Sequence, residues 1–390
     1  MPPSALPFPW IPIFLLTAIF YLNFTSRVIL APLLPVIEQD LGIGHGGAGS
    51  LFFYIALGYG PGMLGSGFVT SRVSHRLTIA WAIIMVGAAL MAVSWSTSLG
   101  GMRINLVFIG LFAGFYIPSG IATLTELASQ EHWGKALAIH ELGPNLGFIT
   151  VPLLAEGFLK FLTWRETLAV IGAVSIFMGV LFLFLGKGGT LKGSPPSWPS
   201  IRKIITSPPY WLLTVFFTVS IGSSIGLYSL IPLYLVNEIG LERTLANPLI
   251  GFSRVFGVIV LFCSGFLTDR FGPKNAMIFF LLSTGIFTLL FGAIHNPLGT
   301  TLLMFLQAAS VACLFPVGLT ILSRAFPSHL RSIAVSLVIV IGFSLGGGVI
   351  PSVLGHWAET YSFSSGFALL GILFLILLPL FLRLGNRLDL

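Results

Sequence analysis

The chain has 390 residues, of which 56% are apolar and only 8% are charged, and its mean hydropathy is +1.00. Soluble domains carry about 25% charged residues, so this composition excludes an ordinary cytosolic enzyme and a disordered chain. The 19 Lys and Arg exceed the 12 Asp and Glu, but they are too dilute to form a basic patch for nucleic acid. We therefore expect a protein of the lipid bilayer with no nucleic-acid partner.

Apolar runs long enough to cross a bilayer as a helix, which takes about 20 residues, recur along the chain. The twelve predicted spans cover residues 11–36, 48–70, 77–95, 104–126, 136–158, 167–187, 209–235, 248–268, 275–294, 299–322, 332–355 and 363–384. Unbroken apolar runs such as residues 368–382 contradict the alternating pattern of a membrane barrel. Residues 1–10 lack a basic residue and no small-residue cleavage site follows the first span, so we expect that span to be retained. The predicted fold class is an all-α membrane protein with twelve transmembrane helices.

The basic residues predict the orientation of these spans, because cytoplasmic loops retain Lys and Arg. With both termini inside, 13 basic residues lie on inner segments and 4 on outer loops, while the remaining 2, Arg27 and Arg254, lie within spans. We expect a multi-pass protein of a bacterial inner membrane, with both termini in the cytoplasm.

The chain divides into two similar halves. The longest polar connection, residues 186–209, follows the sixth span, and Gly67 and Pro118 recur 198 residues later as Gly265 and Pro316. Such a repeat is typical of transporters that hold their substrate between two rocking halves. We predict a six-helix bundle over residues 1–187, a cytoplasmic linker over 188–208 and a second six-helix bundle over 209–390.

The segment GFLTDRFGPK at residues 265–274 resembles the loop signature of the major facilitator superfamily, and the resemblance extends over essentially the whole chain. It implies two pseudo-symmetric six-helix bundles and a loop that ties neighbouring helices together on the cytoplasmic face. The positions that carry the motif here are Gly265, Asp269, Arg270 and Gly272. In the first-half copy, Ser71 and Ser74 replace the expected Asp and Gly, which argues against a strong charge latch there.

Charged groups at membrane depth cost at least about 2.5–3.5 kcal/mol, so Arg27 is a candidate functional residue. It lies eight residues before Pro35, in a stretch similar to the first helix of the organophosphate antiporters and anion:cation symporters of the superfamily. The resemblance implies that Arg27 binds an anion, for which a planar bidentate guanidinium is well suited. The alternative is an arginine that reaches the outer interface or forms a structural ion pair.

Arg254 lies in the eighth span, 15 residues and therefore about 22 Å before Asp269. Oxalate and monocarboxylate transporters of the superfamily also carry an arginine in helix eight, so the resemblance implies a second anion ligand. The antiporters place theirs in helix seven, where this chain has Ser224. An arginine at the outer interface is the alternative.

The fifth span begins with His140 and Glu141, and Asn145 follows one turn later on the same helix face as Glu141. This stretch resembles the cavity-lining fifth helix of the antiporters, which implies a substrate-binding role for Asn145. A buried carboxylate or a histidine could exchange a coupling proton. Alternatively, Glu141 pairs with Lys135 or Arg331 and closes an inner gate.

Two further polar residues, Tyr116 and Gln307, are predicted to contact the substrate within the cavity, whereas Glu126, Glu131 and Glu156 fall at span ends and are expected to be solvated. No GxxxxGK[ST] phosphate cradle is present, so we expect a gradient rather than ATP to drive transport. No cofactor or metal is expected.

These observations together predict a monomeric secondary active transporter for a small organic anion, either a carboxylate or a phosphate ester, working by symport or antiport with H⁺ as the candidate coupling ion. The alternative is an exporter of drugs or other hydrophobic solutes. Two intramembrane arginines against few acidic residues argue against cationic drugs.

Overall fold

The computed structural model describes residues 8–193 and 197–387 of the protein. Within these ranges the chain is helical, and an isolated bridge between Ser74 and Lys192 is the extent of its β-structure. Helices follow from the apolar composition, because a backbone in lipid must satisfy its polar groups internally.

The helices of the first half are α1 (Trp10–Val28), α2 (Leu30–Leu41), α3 (His45–Arg72), α4 (His75–Ser94), α5 (Leu99–Gly114), α6 (Tyr116–Leu127), α7 (Trp133–Phe158) and α8 (Trp164–Leu185). The helices that follow are α9 (Trp198–Ile205), α10 (Pro208–Ile221), α11 (Leu227–Asn237), α12 (Arg243–Phe271), α13 (Pro273–Ala293), α14 (Pro297–Ala312), α15 (Leu314–Ala325), α16 (Ser328–Gly342), α17 (Ile350–Thr360) and α18 (Phe363–Arg387). A 3₁₀ turn spans Gln130–His132, and π-helices span Gly222–Gly226 and Phe343–Val349.

Eleven continuous helical stretches in the described residues are long and apolar enough to cross a membrane. The predicted second span, α3, is the twelfth; it is 28 residues long but contains eight glycines, which lower its hydropathy. Two of these glycines show why α3 needs small residues. A Cβ at Gly58 would collide with the Val107 carbonyl of α5, and a Cβ at Gly62 would collide with the Leu111 carbonyl of α5. The glycines therefore let α3 and α5 approach closely, and the predicted twelve-helix fold is confirmed.

Proline residues break two spans at equivalent places in the repeat. The fourth span is interrupted at Phe115 and the tenth at Cys313, three residues before Pro118 and Pro316 respectively. A proline ring clashes with the carbonyl four residues earlier and removes a helical hydrogen bond. The 198-residue repeat of the sequence thus reappears as a repeat of helix breaks.

The helices pack into two compact units. Unit 1 contains the described residues up to Val28, Leu57–Phe148 and residues 165–193, and unit 2 contains Ile29–Ala56, Ile149–Trp164 and residues 197–387. Unit 2 therefore combines the second half of the chain with parts of the first, second and fifth spans. The predicted boundaries at 187 and 209, which follow the sequence repeat, stay a prediction.

Large apolar side chains cover much of the exterior, among them Ile11, Phe184 and Leu298. A soluble protein would hide such side chains, whereas a membrane protein presents them to lipid. Polar side chains such as Asn23 and Gln307 are instead buried in the interior.

The predicted linker is more structured than its composition suggested. Its start packs against the loop between α3 and α4 in unit 1, where the Arg76 amide donates to the Gly189 carbonyl at 2.8 Å. Ser74, which replaces the expected glycine of the loop motif, caps α4 by accepting from the Leu77 amide at 3.4 Å. Backbone pairing with the linker therefore holds this loop.

Candidate functional site

Arg27 is buried in unit 1, in the last turn of α1, with 7% of its surface exposed. Its guanidinium carbon lies 4.6 Å from the ring centroid of Tyr59 in α3 and 5.4 Å from that of Phe24. A cation at this distance over an aromatic ring is attracted by the electrons of the ring face. This burial disfavours the alternative of an arginine that reaches the outer interface.

The backbone around Arg27 is held by Asn23, one turn earlier. The Asn23 amide is fully buried and donates to the Ala113 carbonyl at 3.1 Å, just before α5 ends at Gly114. The Asn23 carbonyl accepts from Arg27 Nε at 3.4 Å. The break in the fourth span thus helps to position the arginine.

Arg254 is buried in unit 2, in α12, with 6% of its surface exposed. Its guanidinium carbon lies 4.8 Å from the ring centroid of Tyr228 in α11. Its Nη2 donates to the Ser224 carbonyl at 3.4 Å, within the π-helix that precedes α11. Wide π-turns leave carbonyls that other groups can reach, and they are frequent at functional sites.

Gln307 stabilises the same π-helix. Its buried amide donates to the Ser223 carbonyl at 3.1 Å and to the Ser223 hydroxyl at 3.0 Å, and that hydroxyl lies 3.3 Å from the hydroxyl of Thr288. The donors of Gln307 therefore bind the protein itself, so its predicted contact with a substrate stays a prediction.

The two arginines form matching pairs. In unit 1 an arginine of the first span lies on a tyrosine of the second, and in unit 2 an arginine of the eighth span lies on a tyrosine of the seventh. The repeat offset of 198 residues brings Arg27 to within one helical turn of Tyr228, and Tyr59 to within one turn of Arg254. Each half of the chain thus carries the same pair with the two helices exchanged.

The predicted proton-coupling residues lie in unit 1. His140 is 1% exposed, and its Nε2 lies 2.9 Å from the Tyr116 hydroxyl, which also donates to the Leu16 carbonyl at 2.7 Å. The premise that Glu141 is a buried carboxylate is wrong, because 55% of its side chain is exposed. His140 and Glu141 are consecutive residues of α7, yet the His140 side chain is buried and the Glu141 side chain is exposed.

Asn145 and Lys135 each have a partner within unit 1, and the predicted contact of Asn145 with a substrate stays a prediction. Asn145 donates to the Glu141 carbonyl of its own helix at 2.8 Å. Within the part of the chain that the structure describes, the Lys135 ammonium packs over the rings of Phe8 and Trp10, at 4.4 and 4.2 Å from their centroids. In this conformation Lys135 is engaged by aromatic rings, and the predicted gate between Glu141 and Lys135 or Arg331 stays a prediction.

Glu156 is the buried carboxylate that sequence reasoning missed. It was expected to be solvated at a span end, but only 6% of it is exposed. Its Oε2 accepts from Arg243 at 2.7 Å and from the Asn247 amide at 3.2 Å, and that amide also lies 3.3 Å from the Pro32 carbonyl. Within unit 2 this cluster links the end of α7 to the start of α12 and to α2.

Glycines bring further first-half segments onto the second half within unit 2. A Cβ at Gly355 of α17 would meet the His45 carbonyl and the Cα of Gly49 in α3. A Cβ at Gly251 of α12 would meet the Ile149 carbonyl of α7. Under the predicted orientation these contacts lie at the outer ends of the spans, and that orientation stays a prediction.

His45 adds a titratable group to this region, ahead of the predicted second span. Its Nδ1 lies 2.8 Å from Glu38 Oε1. That hydrogen bond raises the pKa of His45 above its usual value, and the charges of Glu38, Glu359 and Glu238 act in the same direction.

The loop motif ends α12. Gly272 has a φ of 81°, a conformation that favours glycine, and Pro273 begins α13 directly after it. The Arg270 guanidinium lies 5.7 Å from the Phe271 ring. The side chains at Gly265 and Asp269 lie outside the described residues.

Comparison with known proteins agrees with this architecture. The chain matches the Major Facilitator Superfamily over residues 13–298 and 255–388. It is 24% identical to nitrate transporter 2.1 of Chlamydomonas reinhardtii, across 93% of this chain and 72% of that protein. It is 20% identical to the probable nitrate transporter NarT of Staphylococcus epidermidis, across 89% of this chain and 88% of that protein.

The fold also matches solved transporter structures. A bacterial homologue of the human lysosomal transporter Spinster, in an inward-facing and unoccupied conformation, has a TM-score of 0.82 at 14% identity, over 99% of this chain and 98% of that one. The chain therefore belongs to the Major Facilitator Superfamily and is a multi-pass membrane transporter, not an enzyme.

Proposed function

We propose that the protein transports a small anion by alternating access, with Arg27 and Arg254 as anion ligands. The observation that carries this proposal is the pair of buried guanidinium groups, one in each unit, each against a tyrosine ring. A permanent positive charge in an apolar interior costs free energy that a bound anion offsets. Two such charges disfavour a drug exporter that accepts cations.

The preferred solute in this proposal is a small planar oxyanion. Sequence reasoning favoured an organic anion, whereas two relatives are described as nitrate transporters. Nitrate and carboxylate share a planar arrangement of oxygens that accepts two parallel hydrogen bonds from one guanidinium. We therefore place nitrate first and small monocarboxylates second.

The contacts within unit 2 support closure at the outer side. Glu156, Arg243 and Asn247 join segments of both sequence halves, and the glycine contacts of Gly251 and Gly355 lie at the same ends of the spans. Opening to the outside would require these contacts to separate. Alternating access then means that they form and break once in each transport cycle.

The decisive experiment is anion uptake by purified protein in proteoliposomes, with nitrate, formate, acetate, oxalate and glycerol phosphate as test solutes. We expect uptake of nitrate, which Arg27→Lys lowers severely at equal protein level, because an ammonium cannot replace the bidentate fork. Arg72→Lys, at the exposed end of α3, is the matched control. Wild-type uptake by Arg27→Lys would contradict the ligand role.

The orientation is tested separately with single cysteines. The proposal places both termini and the linker in the cytoplasm of a bacterial inner membrane, with a monomer as the working unit. A cysteine at Ser197 should react only with reagent on the cytoplasmic side, and a cysteine at Gly299 only with reagent outside. Reversed accessibility at both positions would overturn the orientation.

A further inference from the structure

We propose that His140 is a proton-binding site, in which Tyr116 fixes the tautomer and Nδ1 of the imidazole accepts the proton that accompanies the anion. The link to transport rests on the proposed function. The protonation chemistry itself is independent of any solute and is testable without one.

The hydrogen bonds of Tyr116 determine the tautomer. A carbonyl oxygen can only accept, so the Tyr116 hydroxyl must donate its one hydrogen to Leu16, at 2.7 Å. The same hydroxyl lies 2.9 Å from His140 Nε2 and must therefore accept from it. The neutral imidazole of His140 then carries its hydrogen on Nε2, and Nδ1 holds the lone pair.

That lone pair is available for a proton. Within the described residues, Nδ1 of His140 is buried and has no hydrogen-bond partner. The Oε1 atom of Glu141 lies 3.9 Å away, beyond hydrogen-bond distance but close enough to attract an imidazolium. A proton that reaches the site together with the anion would bind Nδ1 and turn the ring into an imidazolium, with no other bond to the ring formed or broken.

The surroundings keep the ring in place in both protonation states. His140 stacks on Phe20, with centroids 4.4 Å apart, and on Tyr116, at 5.8 Å, each at an interplanar angle of 12°. From the packed elements, Tyr116 of α6 faces the ring, and α1 contributes Phe20 and Leu16. Glu141 is the charged neighbour on its own helix. An aromatic face packs against a neutral ring and also attracts a cation, so the stacking of His140 persists when the imidazole is protonated.

The proposed proton site and the proposed anion site both involve residues of α1. Phe20, on which His140 stacks, lies seven residues before Arg27, which is about 10 Å along α1. If the two charges are separated by about this distance, an effective dielectric constant near 20 makes the imidazolium raise the affinity for the anion roughly tenfold. Linkage requires that the anion raise the affinity for the proton equally, which favours symport.

Nitrogen NMR of histidine-labelled protein in lipid nanodiscs tests the chemistry directly. We expect the signal that disappears in His140→Gln to show the Nε2–H tautomer in the neutral ring and to become an imidazolium, protonated on both nitrogens, on acidification. Tyr116→Phe removes the acceptor and should produce a mixture of tautomers. An Nδ1–H tautomer in the neutral ring, or a ring that stays neutral at every pH at which the protein remains folded, would overturn the proposal.

Proteoliposome uptake tests the coupling. We expect His140→Gln to lose the stimulation of nitrate uptake by a proton gradient while nitrate exchange persists, with folding checked by size-exclusion chromatography. His132→Gln, at a half-buried histidine of the same unit that lies outside the His140 cluster, is the matched control. Glu141→Gln should shift the pH midpoint without abolishing the stimulation. If Glu141→Gln abolishes it and His140→Gln does not, Glu141 carries the proton and the proposal is wrong.

These two arms separate the inference from the proposed function. If no test anion is transported by the wild type, the proposed function fails, while the NMR result still decides whether His140 binds a proton on Nδ1. If nitrate is transported and its uptake is indifferent to the proton gradient, the coupling role fails alone.

Discussion

The arginine–tyrosine pair of unit 1 and that of unit 2 have the same chemistry in different settings. Both guanidiniums are buried and lie 4.6–4.8 Å from a tyrosine ring centroid. Arg27 stands beside a hydrogen-bonded asparagine in unit 1, which is built from the first half of the chain alone. Arg254 stands beside a π-helix in unit 2, which also holds the contacts between segments of both halves.

This difference suggests a division of roles. If the proposed anion site is correct, a substitution near Arg27 should alter anion binding alone. A substitution in unit 2 can alter binding, the contacts between segments of the two sequence halves, or both. The arginine lies on the first helix of the pair in one half of the chain and on the second helix in the other half. A sequence repeat can therefore preserve an interaction although the two residue types have exchanged helices.

The largest expected effect tests whether the arginine–tyrosine pairs of unit 1 and unit 2 contribute equally to anion transport. Arg254→Lys should lower nitrate uptake by roughly 10- to 100-fold, similar to Arg27→Lys, because both lose a charged bidentate hydrogen bond. Initial uptake rates at equal protein level provide the measurement, with Arg72→Lys as the control. If only Arg27→Lys is impaired, the anion is bound by unit 1 alone and the equivalence fails.

A second prediction concerns the contacts that unit 2 makes between segments of the two sequence halves. Glu156→Gln removes the charge that Arg243 and Asn247 bind, so the contacts among α2, α7 and α12 in unit 2 should weaken. A cysteine at the buried position Ala246 should then react roughly tenfold faster with an impermeant maleimide, as expected for loss of a charged hydrogen bond. Exposed Glu131 provides the matched control as Glu131→Gln. Unchanged labelling at Ala246 would show that the ion pair does not hold these contacts.

A third prediction compares the tyrosines. Tyr59→Leu and Tyr228→Leu should each raise the KM for nitrate by roughly threefold to tenfold, because each loses the aromatic face beneath its arginine. Tyr59→Phe and Tyr228→Phe keep the ring and should keep the KM close to that of the wild type. An equal loss in the Phe and the Leu variants would mean that the hydroxyl, not the ring face, matters.

The smallest expected effect depends on pH and on His45. Because its folded-state pKa is raised, the protonated form contributes stability that is complete below about pH 6.5 and is lost as the pH rises through the raised value. The side chain is 28% exposed, so the difference in Tm between the wild type and His45→Gln should be only about 1–2 °C at pH 5.5. It should vanish at pH 9. A difference that grows with pH would contradict the assigned sign.

The spans and their breaks were predictable because they depend on local patterns. Hydropathy alone located the helices, and Pro118 and Pro316 marked the interruptions at Phe115 and Cys313. The burial of Arg27 followed from its depth within an apolar run. Such inferences need no knowledge of which helices are neighbours.

The partners of these residues were not predictable, because they come from distant parts of the chain. With 35 phenylalanines and eight tyrosines, no pattern could single out Tyr59 or Tyr228. Glu156 looked solvated near a span end, yet its partner Arg243 follows 87 residues later. The position of Glu141 within an apolar span predicted a buried side chain, but Glu141 lies on an exposed face of α7, whereas His140 lies on a buried one.

The π-helix of Gly222–Gly226 has a consequence for comparisons among relatives. An α-helix turns about 100° per residue, so one extra residue in a wide turn rotates everything that follows by that angle. Tyr228 comes two residues after this segment, and its direction toward Arg254 therefore depends on a single inserted position. Deleting Ser224 would swing the ring away from the guanidinium and would also remove the carbonyl to which Arg254 donates. A relative with a regular helix here would align with this chain only if a one-residue gap is placed inside the membrane.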